Sequence, residues 1–167
     1  MGFSLRLFSA LDPMNAELTE RLVRLVRQRT TAALGTLHAG APYVSMVPYA
    51  IVDDGFVIHV SRLAAHTKDM LADGRVSLLV AEDGGKSPLA LERVSVEGAS
   101  EPIAPDAPEL PGFRAAYLAR FPEAAQMFGF ADFSLFLIRP VSARFVAGFG
   151  EAHSLTGAST VQALQQR

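Results

Sequence analysis

The chain has no cysteine and no tryptophan among its 167 residues. Without cysteine there can be no disulfide framework, no thiolate nucleophile, no Cys-ligated zinc and no iron–sulfur cluster. Charge is sparse as well. Lys and Arg together number 15 against 17 Asp and Glu, leaving −2 and a pI near 6.1, so no general electrostatic case exists for a nucleic-acid partner. No segment approaches the roughly 18 uninterrupted apolar residues of a membrane span. The opening MGFSLRLF has neither the apolar run nor the cleavage site of a secretory signal, and Arg6 stands where a myristoylation signal needs Ser or Thr. These absences lead to the expectation of a cytoplasmic protein with no nucleic-acid or membrane partner. A G-x-S-x-G elbow, a Walker loop and a G-x-G-x-x-G turn are also missing, which removes the hydrolase, NTPase and Rossmann classes.

What is present is apolar. Half of the residues are hydrophobic and the mean hydropathy is +0.24, enough for a real core and for apolar surface buried against another copy. The length fits one domain. Leu18, Leu22, Leu25 and Val26 follow Asn15 at helical spacing, with Arg21, Arg24 and Arg27 on the other face, so a helix is predicted over about 15–29. Residues 32–37, 42–52 and 56–61 read as a three-stranded meander, the last two joined by an Asp-Asp-Gly turn. A short helix is predicted over 64–73, closed by Gly74 in left-handed geometry. Strands are predicted over 76–81, 93–102, 133–138 and 143–149, with a helix over 113–121 and an irregular helical turn over 122–130. Residues 1–12 read as an N-terminal arm, 13–151 as the folded domain and 152–167 as a frayed tail. The predicted fold is mostly β (α+β), a six- to seven-stranded antiparallel split β-barrel with flanking helices.

Two segments could carry chemistry. SRLAAHTKDM, residues 61–70, leaves a strand and opens a helix, whose N-terminal amides and macrodipole favour an anion. Ser61, Arg62, His66, Thr67 and Lys68 supply the hydroxyl and cationic donors that a phosphate requires, and Lys68 is one of only two lysines in the chain. A solvated helix start would produce the same pattern. In PYVSMVPY, residues 42–49, Ser45 interrupts an apolar run and Pro48 removes a ladder donor. That suits either a flat ligand against the backbone or an edge strand protected from aggregation. No histidine has metal-ligand spacing. His59 reads as a structurally satisfied strand histidine, while His153 lies close to the chain's end.

Taken in order, AALGTL (32–37), GAPYVSMVPY (40–49), VSRLAAHTKDMLADGRVSLLV (60–80), PLALERVSVEG (88–98) and RFVAGFGEAH (144–153) resemble the pyridoxamine-5′-phosphate-oxidase-like FMN-binding split barrels. Within these they are similar to the heme-iron-utilisation branch. The resemblance implies a homodimer with FMN in clefts between subunits, and a flavin-dependent oxidoreductase acting on a small-molecule substrate. It would place Ser61, His66, Thr67 and Lys68 on the phosphate, Ser45 and Val47 beside the ring, and Arg93 where the oxidases carry a glutamine near the isoalloxazine. No catalytic side chain is assigned. The oxidases' C-terminal Trp and Arg are not recognisable, so vitamin B6 oxidation is not implied. Two alternatives stay open. One is a heme-binding or heme-degrading barrel, with His153 or His66 as axial ligand and no other metal site. The other is a cofactor-free binding module.

Overall fold

The computed structural model describes residues 14–84 and 87–166. The predicted arm over 1–12 falls outside them. The first helix, α1 (Ala16–Gln28), begins where Asn15 accepts a hydrogen bond from the Leu18 amide at 2.8 Å. Its Leu18, Leu22, Leu25 and Val26 are buried in the main core, as their spacing predicts. Arg21, expected on the polar face, instead reaches across to Glu92 at 2.8 Å.

Eight strands form one antiparallel sheet: β1 (Thr31–His38), β2 (Ala41–Pro48), β3 (Ala50–Val52), β4 (Gly55–Ser61), β5 (Arg75–Ala81), β6 (Arg93–Pro102), β7 (Phe133–Gly148) and β8 (Glu151–Thr156). The order is β2-β1-β5-β6-β7-β4-β3, with β8 added to β7. This is the expected split barrel with flanking helices, one strand richer than predicted.

Three local expectations are corrected. The predicted meander does not form, because the run 42–52 divides at Tyr49. Pro48 cannot donate to a ladder, and Tyr49 is fully buried with its hydroxyl donating to Val26 O at 2.6 Å. The chain therefore passes from one end of the sheet order, β2, to the other, β3. Second, Pro140 does not separate two strands. It sits inside the 16-residue β7 opposite Gly98, next to a bulge at which Val141 of β7 has no β6 partner. Third, the frayed tail is ordered as β8 and α4 (Gly157–Gln165). Leu155, Thr160, Ala163 and Leu164 are buried there, and Arg27 of α1 donates to Leu164 O at 3.1 Å.

The second helix, α2 (Ala65–Ala72), packs mainly on β1. Gly74 after it is not left-handed; it is needed because a Cβ would lie 2.8 Å from Ser100 O. α3 (Leu110–Arg120) and the 3-10 segment Pro122–Gly129 cover the opposite side of β4 and β7, forming a smaller core around Val57, Tyr117, Leu135 and Leu137.

Candidate functional site

The β1–β2 hairpin turns through Ala39 and Gly40, both at positive φ, and this fixes which side of β2 faces out. Val44 and Met46 point outward, 67% and 71% exposed, while Val47 is buried in the core. Across the ladder Met46 pairs with Ala33, and Ala33 with Leu79; Val44 pairs with Gly35, and Gly35 with Ser77. An apolar band thus crosses β2, β1 and β5. Beside it lies an open cavity of about 480 Å³, lined by Thr36, Tyr43, Val44, Ser77, Glu97 and Val141 among others. Arg75 brings a guanidinium to its wall, held by Asp73 at 2.6 Å, and this pairing keeps the Asp73 carboxyl down at about 2.

The helix α2 packs against the other, core-side face of β1. Asp69 on its inner side is buried and accepts from the Thr36 hydroxyl at 2.9 Å and from His38 Nδ1 at 2.7 Å. Burial pushes its carboxyl up, but the bonds from His38 and Thr36 prevail and hold it below the usual carboxylate range. His66, one turn earlier, has its imidazole pushed down by burial, an effect that Asp69 partly offsets. The His38 side chain is 59% exposed, and its ring stands 5.6 Å from that of Tyr43 on the cavity wall.

The residues singled out from sequence have the following surroundings. The Ser61 hydroxyl donates to Asp132 at 2.6 Å, and the same oxygen accepts the Leu63 amide. A carboxylate there opposes a phosphate. Thr67 is fully buried and Lys68 exposed; Thr67 Oγ1 and Ser45 Oγ have no hydrogen-bond partner among the described residues. Arg93 turns back to Leu91 O at 3.2 Å. His153 lies on β8 opposite Phe145, its Nε2 buried 3.6 Å from Glu151, which also pairs with Arg21. His59 is a packed core residue, its ring stacked on Phe128 at 3.9 Å. The His38–Asp69 pair is not visible in the sequence, since His38 lies between the strands predicted over 32–37 and 42–52 and the two residues are far apart along the chain. The one available signal was an acidic residue on the inward side of a short helix.

An eight-stranded barrel with this cleft is one of a known class, and the family profile described as pyridoxamine 5′-phosphate oxidase matches residues 18–147. The chain belongs to that family. A chloroplastic protein of Arabidopsis thaliana, named non-canonical heme oxygenase HOZ, is 37% identical over 116 residues; the match covers 69% of this chain and 35% of that protein. Heme oxygenase HutZ of Vibrio cholerae is 26% identical over 150 residues, covering 87% of this chain and 85% of HutZ. A heme-binding protein from Mycobacterium smegmatis superposes with a TM-score of 0.80 at 29% identity, covering 89% of this chain and 62% of that one. Of these relatives, this chain spans only about a third of the Arabidopsis protein's length.

These relatives correct the expected cofactor and activity. The FMN-dependent oxidoreductase reading is overturned: these three relatives are named for heme, not flavin. The engagement of Ser61 by Asp132 gives a local physical reason why the predicted phosphate cradle is poorly built. Among the described residues no helix is long and apolar enough to cross a membrane.

Proposed function

We propose that this chain binds heme in the cleft beside β2 and takes part in its oxidative breakdown. The observation that carries the reading is the cavity of about 480 Å³ against the outward apolar band of Val44, Met46 and Leu79. A porphyrin is flat, apolar on both faces and edged with carboxylates. It suits a sheet face with few charged side chains, whereas a flavin phosphate would need an anion site that Asp132 disfavours. The kinship with HOZ and HutZ supports heme as the substrate. When bound, the heme iron supplies oxygen activation; the chain's own part is to bind the ring, orient it and exclude water from its faces. Val44, Met46 and Leu79 would cover a face, and Arg75 lies within reach of the cavity wall. A second copy of the chain closing over this band belongs to the same proposal, since 67–71% exposure of adjacent Val44 and Met46 is costly in water.

The test is a side-by-side titration of the purified chain with hemin and with FMN, followed by gel filtration. A Soret band that travels with the protein, and fades with release of iron when reductant and oxygen are supplied, is the expected result. Retention of FMN with no hemin uptake would sink the proposal.

A further inference from the structure

We propose that Arg144, on the outward face of β7, anchors the carboxylate edge of the bound heme and so sets the direction in which the ring lies on the sheet. The proposal rests on the heme reading above and adds to it a residue and an orientation. Pairing across the ladders lays outward side chains in parallel rows. One row is Met46, Ala33, Leu79, Ser95, Arg144 and Ser154, and its neighbour runs from Val44 to Thr156. Both rows change character along their length, apolar across β2 and β1, hydroxylic and charged across β7 and β8. A second open cavity, of about 700 Å³, lies over the polar half and is lined by Ser95, Ser142, Arg144, Ser154 and Thr156 among others. It shares Glu97 and Val141 with the cavity beside β2, so the two are halves of one amphiphilic surface.

Arg144 is exposed, and among the described residues its guanidinium has no carboxylate partner. One nitrogen donates to the Ser154 hydroxyl at 3.1 Å, which leaves most of its five N–H donors for a ligand. The other guanidinium on these walls is committed: Arg75 holds Asp73 through Nε at 3.0 Å and Nη2 at 2.6 Å. Arg93, diagonally across the ladder, turns back to Leu91 O at 3.2 Å. A planar fork takes a carboxylate through two parallel bonds, and the hydroxyls of Ser95 and Ser154, opposite Arg144 on either side, can donate to its remaining lone pairs. Glu97, where the cavities meet, accepts the Ser142 hydroxyl at 2.9 Å and repels carboxylates from the neighbouring row, leaving them the row of Arg144. Leu79 and Arg144 are two strands apart, roughly 10 Å along that row. That span is comparable to the distance from the centre of a porphyrin to its carboxylates, so a ring on the apolar band brings its charged edge to Arg144.

The test removes the charge from each side of the contact in turn. The full chain and its Arg144→Gln, Arg144→Lys, Arg75→Gln and Arg24→Gln variants are titrated with hemin and with hemin dimethyl ester, whose carboxylates carry no charge, in one buffer and detergent, reading the Soret band. The parent is expected to bind hemin about ten- to a hundredfold more tightly than the ester. Arg144→Gln should lose most of that preference while binding the ester as the parent does. Arg144→Lys, which keeps the charge without the fork, should retain part of it. Arg24→Gln, which removes an exposed charge from α1, should retain all of it, separating a local contact from net charge. Because Arg144 is exposed, its replacement does not threaten the fold, and thermal unfolding checks this for each variant. If Arg144→Gln keeps the parent's preference, or Arg75→Gln alone abolishes it, the assignment to Arg144 is wrong while the heme reading survives. Equal binding of hemin and its ester by the parent would show that the carboxylates are not recognised, and the anchor falls. If the parent binds neither, the heme reading falls and takes the anchor with it.

Discussion

Replacing Val44 by glutamate puts a carboxylate on the cavity wall without disturbing the core. The side chain is 67% exposed, so the fold should tolerate the change within about 0.5 kcal/mol. The effect on a bound porphyrin is larger. Full burial of a valine side chain is worth about 1.5–3 kcal/mol, and roughly two thirds of that, about 1–2 kcal/mol, remains to be gained when a ligand covers it. A carboxylate forfeits this gain and must also shed water against the ring, adding about 1–3 kcal/mol. The sum, about 2–5 kcal/mol, corresponds to a loss of affinity between about thirtyfold and a few thousandfold. Val44→Ala, which removes only the apolar part, should lose about thirtyfold or less. Both are read by hemin titration at the Soret band, with thermal unfolding and light scattering run in parallel to separate ligand binding from folding and self-association. Equal hemin affinity in Val44→Glu and the parent, with unchanged folding, would show that the ring does not lie on this face.

Two further outcomes follow from the fold. Gly55 has φ of +147°, and a Cβ there would stand 2.3 Å from Ile138 O, so Gly55→Ala should destabilise by about 2–4 kcal/mol, seen as a lower urea midpoint. His59 is held neutral, its imidazole pushed down first by burial and then by the Arg114 charge. The unfolded chain therefore binds more protons as pH falls from about 6.5, and stability is full above that pH and declines below it. His59→Phe, which keeps the stack on Phe128, should flatten this slope in melting curves taken between pH 5 and 8, and an unchanged slope would show that His59 does not titrate on unfolding.

The elements legible in the sequence are those whose determinants are local. Asn15 and the Leu18–Val26 stripe define α1 within one stretch, and the alternation of Val94, Val96 and Gly98 defines β6. The break at Tyr49 was not legible, because it is set by a hydrogen bond to Val26 on another element. Nor was the order of residues 152–166, whose polar composition hides the few side chains, Leu155 and Leu164 among them, that dock on the barrel. The candidate site divides the same way. The segment around residues 61–70 stood out by composition, but what its residues do depends on partners remote in sequence: Asp132 for Ser61, and His38 for Asp69. His38 sits at the end of β1 beside a turn, and only the approach of α2 distinguishes it from solvated hairpin sequence.

The length of β7 has a consequence for how the chain is made. Residues 133–148 supply the partner for β4, β6 and β8 in turn, so β7 is the seam at which both halves of the sheet are joined. During synthesis the β1–β2 and β3–β4 hairpins can form as they emerge, and β5 can pair with β6. Neither β4 nor the far edge of β6 can be satisfied until β7 has left the ribosome. From the completion of β6 to that of β7 the nascent protein therefore carries two unpaired strand edges, one of them the wholly buried run from Gly55 to Val60. Closure is a late, long-range event, and a cell producing this chain must shield those edges until it occurs.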